Sequence, residues 1–179
     1  PVSQFLVSPQ HDIQVSGLKI FSELFGTIPN YEEIGKFIEI VNQIMLNSLN
    51  YTDSEYSTIW NSVNLIMSSF SSLNKEEIGA AFNILRQSAL LISSNGEITS
   101  TRRILPLTAL VNTMAFDTSQ EMIEILLHQC IDVMAQSIVE NQTLPLDMLD
   151  LISTIFSAQI PRDQIYKLIS EKVNSAISS

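Results

Sequence analysis

From Ser16 onward, apolar residues recur at steps of three and four almost without a break, and a chain so patterned folds as amphipathic helices. The cleanest stripe is Tyr56, Ile59, Trp60, Val63, Ile66, Met67, Phe70 and Leu73. Opposite it stand Ser57, Asn61, Asn64, Ser68 and Ser71, polar but uncharged. Helix starts are marked by a short polar cap followed three residues later by Glu, the capping-box spacing. Asn30-Tyr31-Glu32-Glu33, Thr52-Asp53-Ser54-Glu55, Asn74-Lys75-Glu76-Glu77 and Thr118-Ser119-Gln120-Glu121 all have it. The helix after Asn30 carries Ile34, Phe37, Ile38, Val41, Ile44, Met45 and Leu49, which predicts a central position.

Ser16 is suited to cap a helix over Gly17 to Phe25, with Gly26 as its stop. The helix after Asn74 runs through Ile78, Ala81, Phe82, Leu85, Ala89 and Ile92. Pro106 interrupts the segment from Glu97 to Phe116, predicting a kink or a fresh helix from Leu107. The helix after Thr118 takes in Met122, Ile123, Leu126, Leu127, Cys130, Met134, Ile138 and Val139. Pro145 and Pro161 suit first helical positions for two more helices, ending near Ala158 and Ala176. Residues 1–15 lack a period and contain Pro9, so they read as an extended lead-in before a single helical domain over 16–179. The expected fold is all-α, an antiparallel multi-helix bundle of about seven to eight helices joined by short loops. Helix pairs of about 44 residues also fit a short HEAT-like solenoid.

Composition removes several alternatives. Five Gly and six Pro are too few for a turn-rich all-β chain. Nine basic residues against nineteen acidic ones, a net charge of −10, disfavour nucleic acid and anionic membrane surfaces as partners. Uninterrupted apolar runs such as Ala89-Leu90-Leu91-Ile92 fall far short of the ~18 residues of a membrane span, so direct membrane insertion is not expected. Ser and Thr together outnumber the charged residues, a surface typical of secreted proteins. The chain opens on Pro1-Val2-Ser3-Gln4 and reads as processed, or as a portion of a longer protein.

Signals for chemistry are thin. There is no phosphate loop, dinucleotide fingerprint or metalloprotease helix, and no cofactor or metal is implied. His11 and His128 have no neighbour at ligand spacing, and Cys130 in an apolar stretch reads as a small buried hydrophobe. Asp147 and Asp150 share a helix face, as acid/base or cation-binding carboxylates do, but helix-dipole compensation explains them as well. Arg102-Arg103, the one basic pair, reads as solvated or as an exposed cleavage point. The methionines, Met45, Met67, Met114, Met122, Met134 and Met148, read as core filler. Two N-glycosylation sequons, Asn50-Tyr51-Thr52 and Asn141-Gln142-Thr143, fall in predicted loops.

Two segments, Ile66-Met67-Ser68-Ser69-Phe70-Ser71-Ser72-Leu73-Asn74 and Leu149-Asp150-Leu151-Ile152-Ser153-Thr154-Ile155-Phe156, show apolar residues alternating with Ser-rich steps. In this the chain, from Tyr31 to Ser179, is similar to helical segments beside the receptor-for-egg-jelly region of polycystin-like proteins. It also resembles the helical first half of the autoproteolysis-inducing domain of adhesion receptors. That domain cleaves itself in a β-rich half with paired Cys and a His-Leu-Ser or His-Leu-Thr motif. Here His128 is followed by Gln129-Cys130, and no second Cys exists, so the cleavage activity does not carry over. The resemblance implies a non-catalytic scaffold within a large ciliary or cell-surface protein. The function expected is accordingly non-enzymatic, a helical scaffold or protein-interaction module with Ser57, Asn61, Asn64 and Ser68 as candidate contact face. The alternatives are an intracellular, cytoplasmic HEAT-like adaptor for a partner peptide and a helical carrier of an apolar ligand.

Overall fold

The computed structural model describes residues 2–27, 31–70, 75–113, 119–140, 146–157, 167 and 170. Among them run eight α-helices: α1 (Val2–Leu6), α2 (His11–Leu24), α3 (Tyr31–Asn47), α4 (Asp53–Ser69), α5 (Lys75–Ser93), α6 (Ser100–Asn112), α7 (Gln120–Val139) and α8 (Leu146–Ser157). Single 3-10 turns follow α2 and α3, at Phe25–Thr27 and Ser48–Asn50. The protein is all-α, an antiparallel multi-helix bundle.

Local sequence sets α4 most strictly. The Thr52 hydroxyl accepts from the Glu55 N–H while the Glu55 carboxylate accepts from the Thr52 N–H at 2.9 Å, closing the expected capping box. The α4 stripe from Tyr56 to Phe70 is buried throughout, each residue at most 1% exposed. Helices two apart in the chain pack side by side: α2 on α4, α4 on α6, α6 on α8, and α3 on α5. Cross-links come from α1 against α2, α5 against α6, α6 against α7 and α7 against α8. An aromatic chain threads the first half of the core. Phe37 meets Phe21, Phe21 meets Phe25, Phe25 meets Phe70 and Phe70 meets Phe82, with centroids 4.8–5.6 Å apart.

Several expectations change. The lead-in is not extended: residues 2–6 form α1, and α2 starts at His11. Val2, Phe5 and Leu6 already have helical spacing, but five residues cannot hold a helix alone. Docking on α2 supplies the stability. Leu6 is fully buried, and its carbonyl accepts from Gln14 Nε2 at 2.7 Å. Gly17 makes the approach feasible, because a Cβ there would lie 2.6 Å from Phe5 Cβ. Ser16 therefore lies inside α2, its hydroxyl donating to the Asp12 carbonyl, and caps nothing. The central helices are α4 and α6 rather than α3, which packs chiefly on α5.

Pro106 neither breaks nor restarts its helix; α6 is continuous from Ser100 to Asn112. The cap of α7 is Ser119, one residue beyond the expected Thr118, accepting from the Met122 N–H. On α7, Ile123, Leu126, Leu127, Cys130 and Val133 are buried, whereas Ile138 and Val139 are exposed. Glu121–Val139 is long and apolar enough to cross a membrane by composition, with one third of it buried against its neighbours. Counting uninterrupted runs misses this, because Glu124 and Asp132 divide the segment without lowering its average much. Asn30, Asn74, Thr118, the Asn141 sequon, Pro145 and nearly all of the helix expected after Pro161 lie outside the described residues.

Candidate functional site

The expected contact face lies on the outer side of α4, and its two asparagines face different seams. Asn61 is exposed and lines an open groove of about 240 Å³ between α2 and α4, with Lys19, Glu23, Thr58 and Leu65. Ser22 and Ser62 also line the groove, and both bury their hydroxyls by donating to their own helices, at the Lys19 and Thr58 carbonyls. Asn64 faces the other seam, where its Oδ1 accepts from Asn112 Nδ2 of α6 at 3.0 Å. Ser68 is exposed and donates to the Asn64 carbonyl; Ser57 is half-buried. Carboxamides and hydroxyls thus cross the α2–α4–α6 surface, offering donors and acceptors without net charge.

The charged residues are used differently. Pro106 has no N–H, so the carbonyl four residues earlier, on Arg102, loses its helical partner. The buried Tyr56 hydroxyl fills that gap, donating to the Arg102 carbonyl at 2.8 Å. This is why α6 survives its proline. Burial raises the Tyr56 pKa, against the opposing pull of Arg102, so the phenol stays a donor. The Arg102 guanidinium lies 4.9 Å over the Tyr56 ring and donates to the Leu49 and Tyr51 carbonyls and to Asp53 Oδ1. Arg102 ties the α3–α4 turn to α6 and is not simply solvated. Tyr56→Phe keeps the ring under Arg102 but strands its carbonyl. The expected cost is about 1–3 kcal/mol, read as a fall in the denaturant midpoint.

Arg103 points inward and is only 5% exposed. Its Nε donates to the Ser93 carbonyl at 2.6 Å and one terminal nitrogen to Gln136 Oε1 at 2.5 Å. Burial lowers its pKa, and the carboxylates of Asp132 and Glu140 push it back up. The Ser93 hydroxyl donates to Gln129 Oε1, and Gln136 Nε2 donates to the Ile98 carbonyl and to Glu140. A dibasic cleavage point needs an accessible, flexible pair; this one is locked in the fold.

Glu140 closes the seam. Thr99, the N-cap of α6, makes no side-chain cap bond. The Glu140 carboxylate caps α6 from the end of α7 instead, accepting from the Ser100 N–H at 3.1 Å and its hydroxyl at 2.6 Å. The Ser100 hydroxyl is the main cause holding the Glu140 pKa below its usual value of 4.5. A depressed carboxylate pKa gives stability that is present above the unfolded value and lost as pH falls through the folded one. The melting temperature of Glu140→Gln is therefore expected to lie below the parent's at pH 7. The gap should close below pH 4.5, which a pH series of thermal melts checks.

The remaining candidates are accounted for one by one. His11 stacks on Tyr51 with centroids 4.0 Å apart, and the Tyr51 hydroxyl donates to Gln14 Oε1. His128 is half-buried on α7, far from His11 in sequence. Cys130 is fully buried with its thiol pKa pushed up to about 12, the behaviour of a core hydrophobe. Met45 and Met67 fill the core, Met122 and Met134 pack partly buried against it, Met114 lies outside the described residues, and Met148 lies on α8 with its side chain outside the description. Asp150 is exposed, and the Asp147 side chain is outside the description. Among the described residues, no three His, Cys, Asp or Glu side chains gather to hold a metal.

Sequence reasoning missed Arg102, Arg103, Gln136 and Glu140 as joints. Two signals were present: Pro106 four residues after Arg102, and Gln136 and Glu140 one helical turn apart. The fold and these joints define a helical bundle whose α2–α4–α6 surface carries carboxamides and hydroxyls beside Lys19 and Glu23. No protein-family model, no curated protein and no solved structure matches the chain.

Proposed function

We propose that this chain is a non-enzymatic helical scaffold or protein-interaction module, part of a larger extracellular or ciliary cell-surface protein of polycystin-like or adhesion-receptor type. One observation carries the reading. Of the side chains that suggested chemistry, Arg102, Arg103, His11 and Cys130 are occupied in joints or core. The α2–α4–α6 face keeps Asn61 and Ser68 free of charge and open to solvent. Its partner is then a protein, either an assembly neighbour or the rest of the parent chain, and rigid helices hold it at fixed distance.

The test is site-specific photo-crosslinking in native source material. A crosslinker at Asn61 or Ser68 should yield discrete adducts, and one at the exposed Gln87 of α5 should not. Asn61→Arg should abolish the Ser68 adducts while leaving the melting temperature unchanged. Equal labelling from both faces would sink the proposal.

The side-by-side stacking of alternate helices favours a second reading, an intracellular HEAT-like adaptor. The two differ in compartment. Recovery of the native protein from the cytosol would favour the adaptor, and recovery from the cell surface the scaffold.

A further inference from the structure

The sequon Asn50-Tyr51-Thr52 occupies the turn between α3 and α4, and the fold treats its three residues unequally. Asn50 ends the 3-10 turn and is exposed, and its carboxamide makes no hydrogen bond among the described residues. Tyr51 is buried, stacked on His11 and bonded to Gln14, and its carbonyl accepts from Arg102. The Thr52 hydroxyl is exposed but engaged in the capping box, donating to Glu55 Oε2 at 2.7 Å and accepting from the Glu55 N–H. The sequon demands a hydroxyl two residues after the Asn, so the transferring enzyme must engage Thr52 as well as Asn50. In the finished turn Tyr51 between them is buried and the Thr52 hydroxyl is already taken by Glu55, so the three residues cannot be presented together.

We propose that Asn50 is an N-glycan acceptor open to its transferase only until the α3–α4 turn has folded. The inference rests on the cell-surface reading, because the transfer belongs to the secretory pathway. The donor is an oligosaccharide carried on a lipid pyrophosphate. Asn50 Nδ2 bonds to the anomeric carbon of the sugar, and the bond from that carbon to the pyrophosphate oxygen breaks. The lipid pyrophosphate leaves with the bonding pair, the carboxamide releases one proton, and nothing is oxidised or reduced. The attached glycan then projects into solvent from a residue with no packing role, so it leaves the capping box and the Arg102 contacts intact.

Two measurements on the full chain test this. In the first, the chain is directed into the secretory lumen by an added signal sequence, and Asn50 occupancy is read by peptide mass spectrometry. Occupancy is expected, lost in Asn50→Gln and kept in Thr52→Ser, which retains both hydroxyl roles. A bare Asn50 in secreted, folded chain overturns the proposal. In the second, bacterially made chain is given to a microsomal transferase with lipid-linked oligosaccharide, once folded and once freshly diluted from denaturant. Modification of the unfolded sample alone is expected; equal modification of the folded sample overturns the timing. Asn50 bare in native material but occupied in the directed chain would sink the cell-surface reading and leave the acceptor assignment standing.

Discussion

Arg103→Ala is expected to destabilise the protein by about 3–5 kcal/mol, because two acceptors inside the fold lose their donor at about 1–3 kcal/mol each. The substitution strands the Ser93 carbonyl and the Gln136 carboxamide oxygen, both held by the guanidinium. It also leaves Asp132 and Glu140 without their nearby positive charge, and removes an aliphatic stem packed between helices. Arg103→Lys keeps the charge but not the fork, and cannot reach both acceptors with the same geometry, so an intermediate loss is expected. Asp53→Ala supplies the comparison. It breaks only the ion pair of Arg102 with an Asp53 side chain that is 90% exposed, where an ion pair contributes about 0–1 kcal/mol, and leaves the Arg102 bonds to the Leu49 and Tyr51 carbonyls in place. Trp60, the one tryptophan, gives the readout through its fluorescence in denaturant titrations. An Arg103→Ala loss no larger than that of Asp53→Ala would refute the buried-joint assignment.

The two adjacent arginines show where sequence reading succeeds and where it stops. What was legible is local or periodic. The α4 cap needs only Thr52 and Glu55, three residues apart, and its stripe needs only the step of three and four. Those determinants sit within one helix, so the pattern announces them. What was not legible depends on contacts distant in sequence. Arg103 and Gln136 meet across the α6–α7 packing, and no window on either helix contains both. Pro106 carried a rule predicting a kink or a fresh helix; α6 runs on past it, and the carbonyl it orphans is taken by a hydroxyl fifty residues earlier in the chain, on Tyr56. The lead-in failed for the same reason: α1 is too short to be stable alone and exists because Gly17 lets it lie on α2. The contact face fared differently. Ser57, Asn61, Asn64 and Ser68 share one side of α4 as the spacing required, but the neighbouring helices assign Asn61 to one seam and Asn64 to the other.

Trp60→Ala should rank beside Arg103→Ala, with an expected loss of about 3–5 kcal/mol, yet for the opposite reason. Trp60 is 1% exposed on α4, the helix that packs against both α2 and α6. Removing the indole opens a void that the two rows cannot both relax into, so transfer and cavity costs add. Its N–H makes no hydrogen bond of ordinary geometry among the described residues, yet it lies close enough to the Tyr56 hydroxyl to pull that group's pKa down against burial. Trp60→Phe therefore deletes a poorly satisfied donor along with part of the ring volume. The two changes oppose each other, and the net loss should be under about 1.5 kcal/mol. Circular dichroism follows both variants, since each removes the fluorophore. A Phe variant as unstable as the Ala variant would mean that the indole N–H is satisfied in solution, for instance by a buried water. A tolerated Trp60→Phe beside a damaging Trp60→Ala would identify the site as filled by shape alone. That contrast separates the two kinds of joint in this bundle: the α4 seam held by packed apolar volume, and the α5–α6–α7 seam held by a closed set of hydrogen bonds around Arg103.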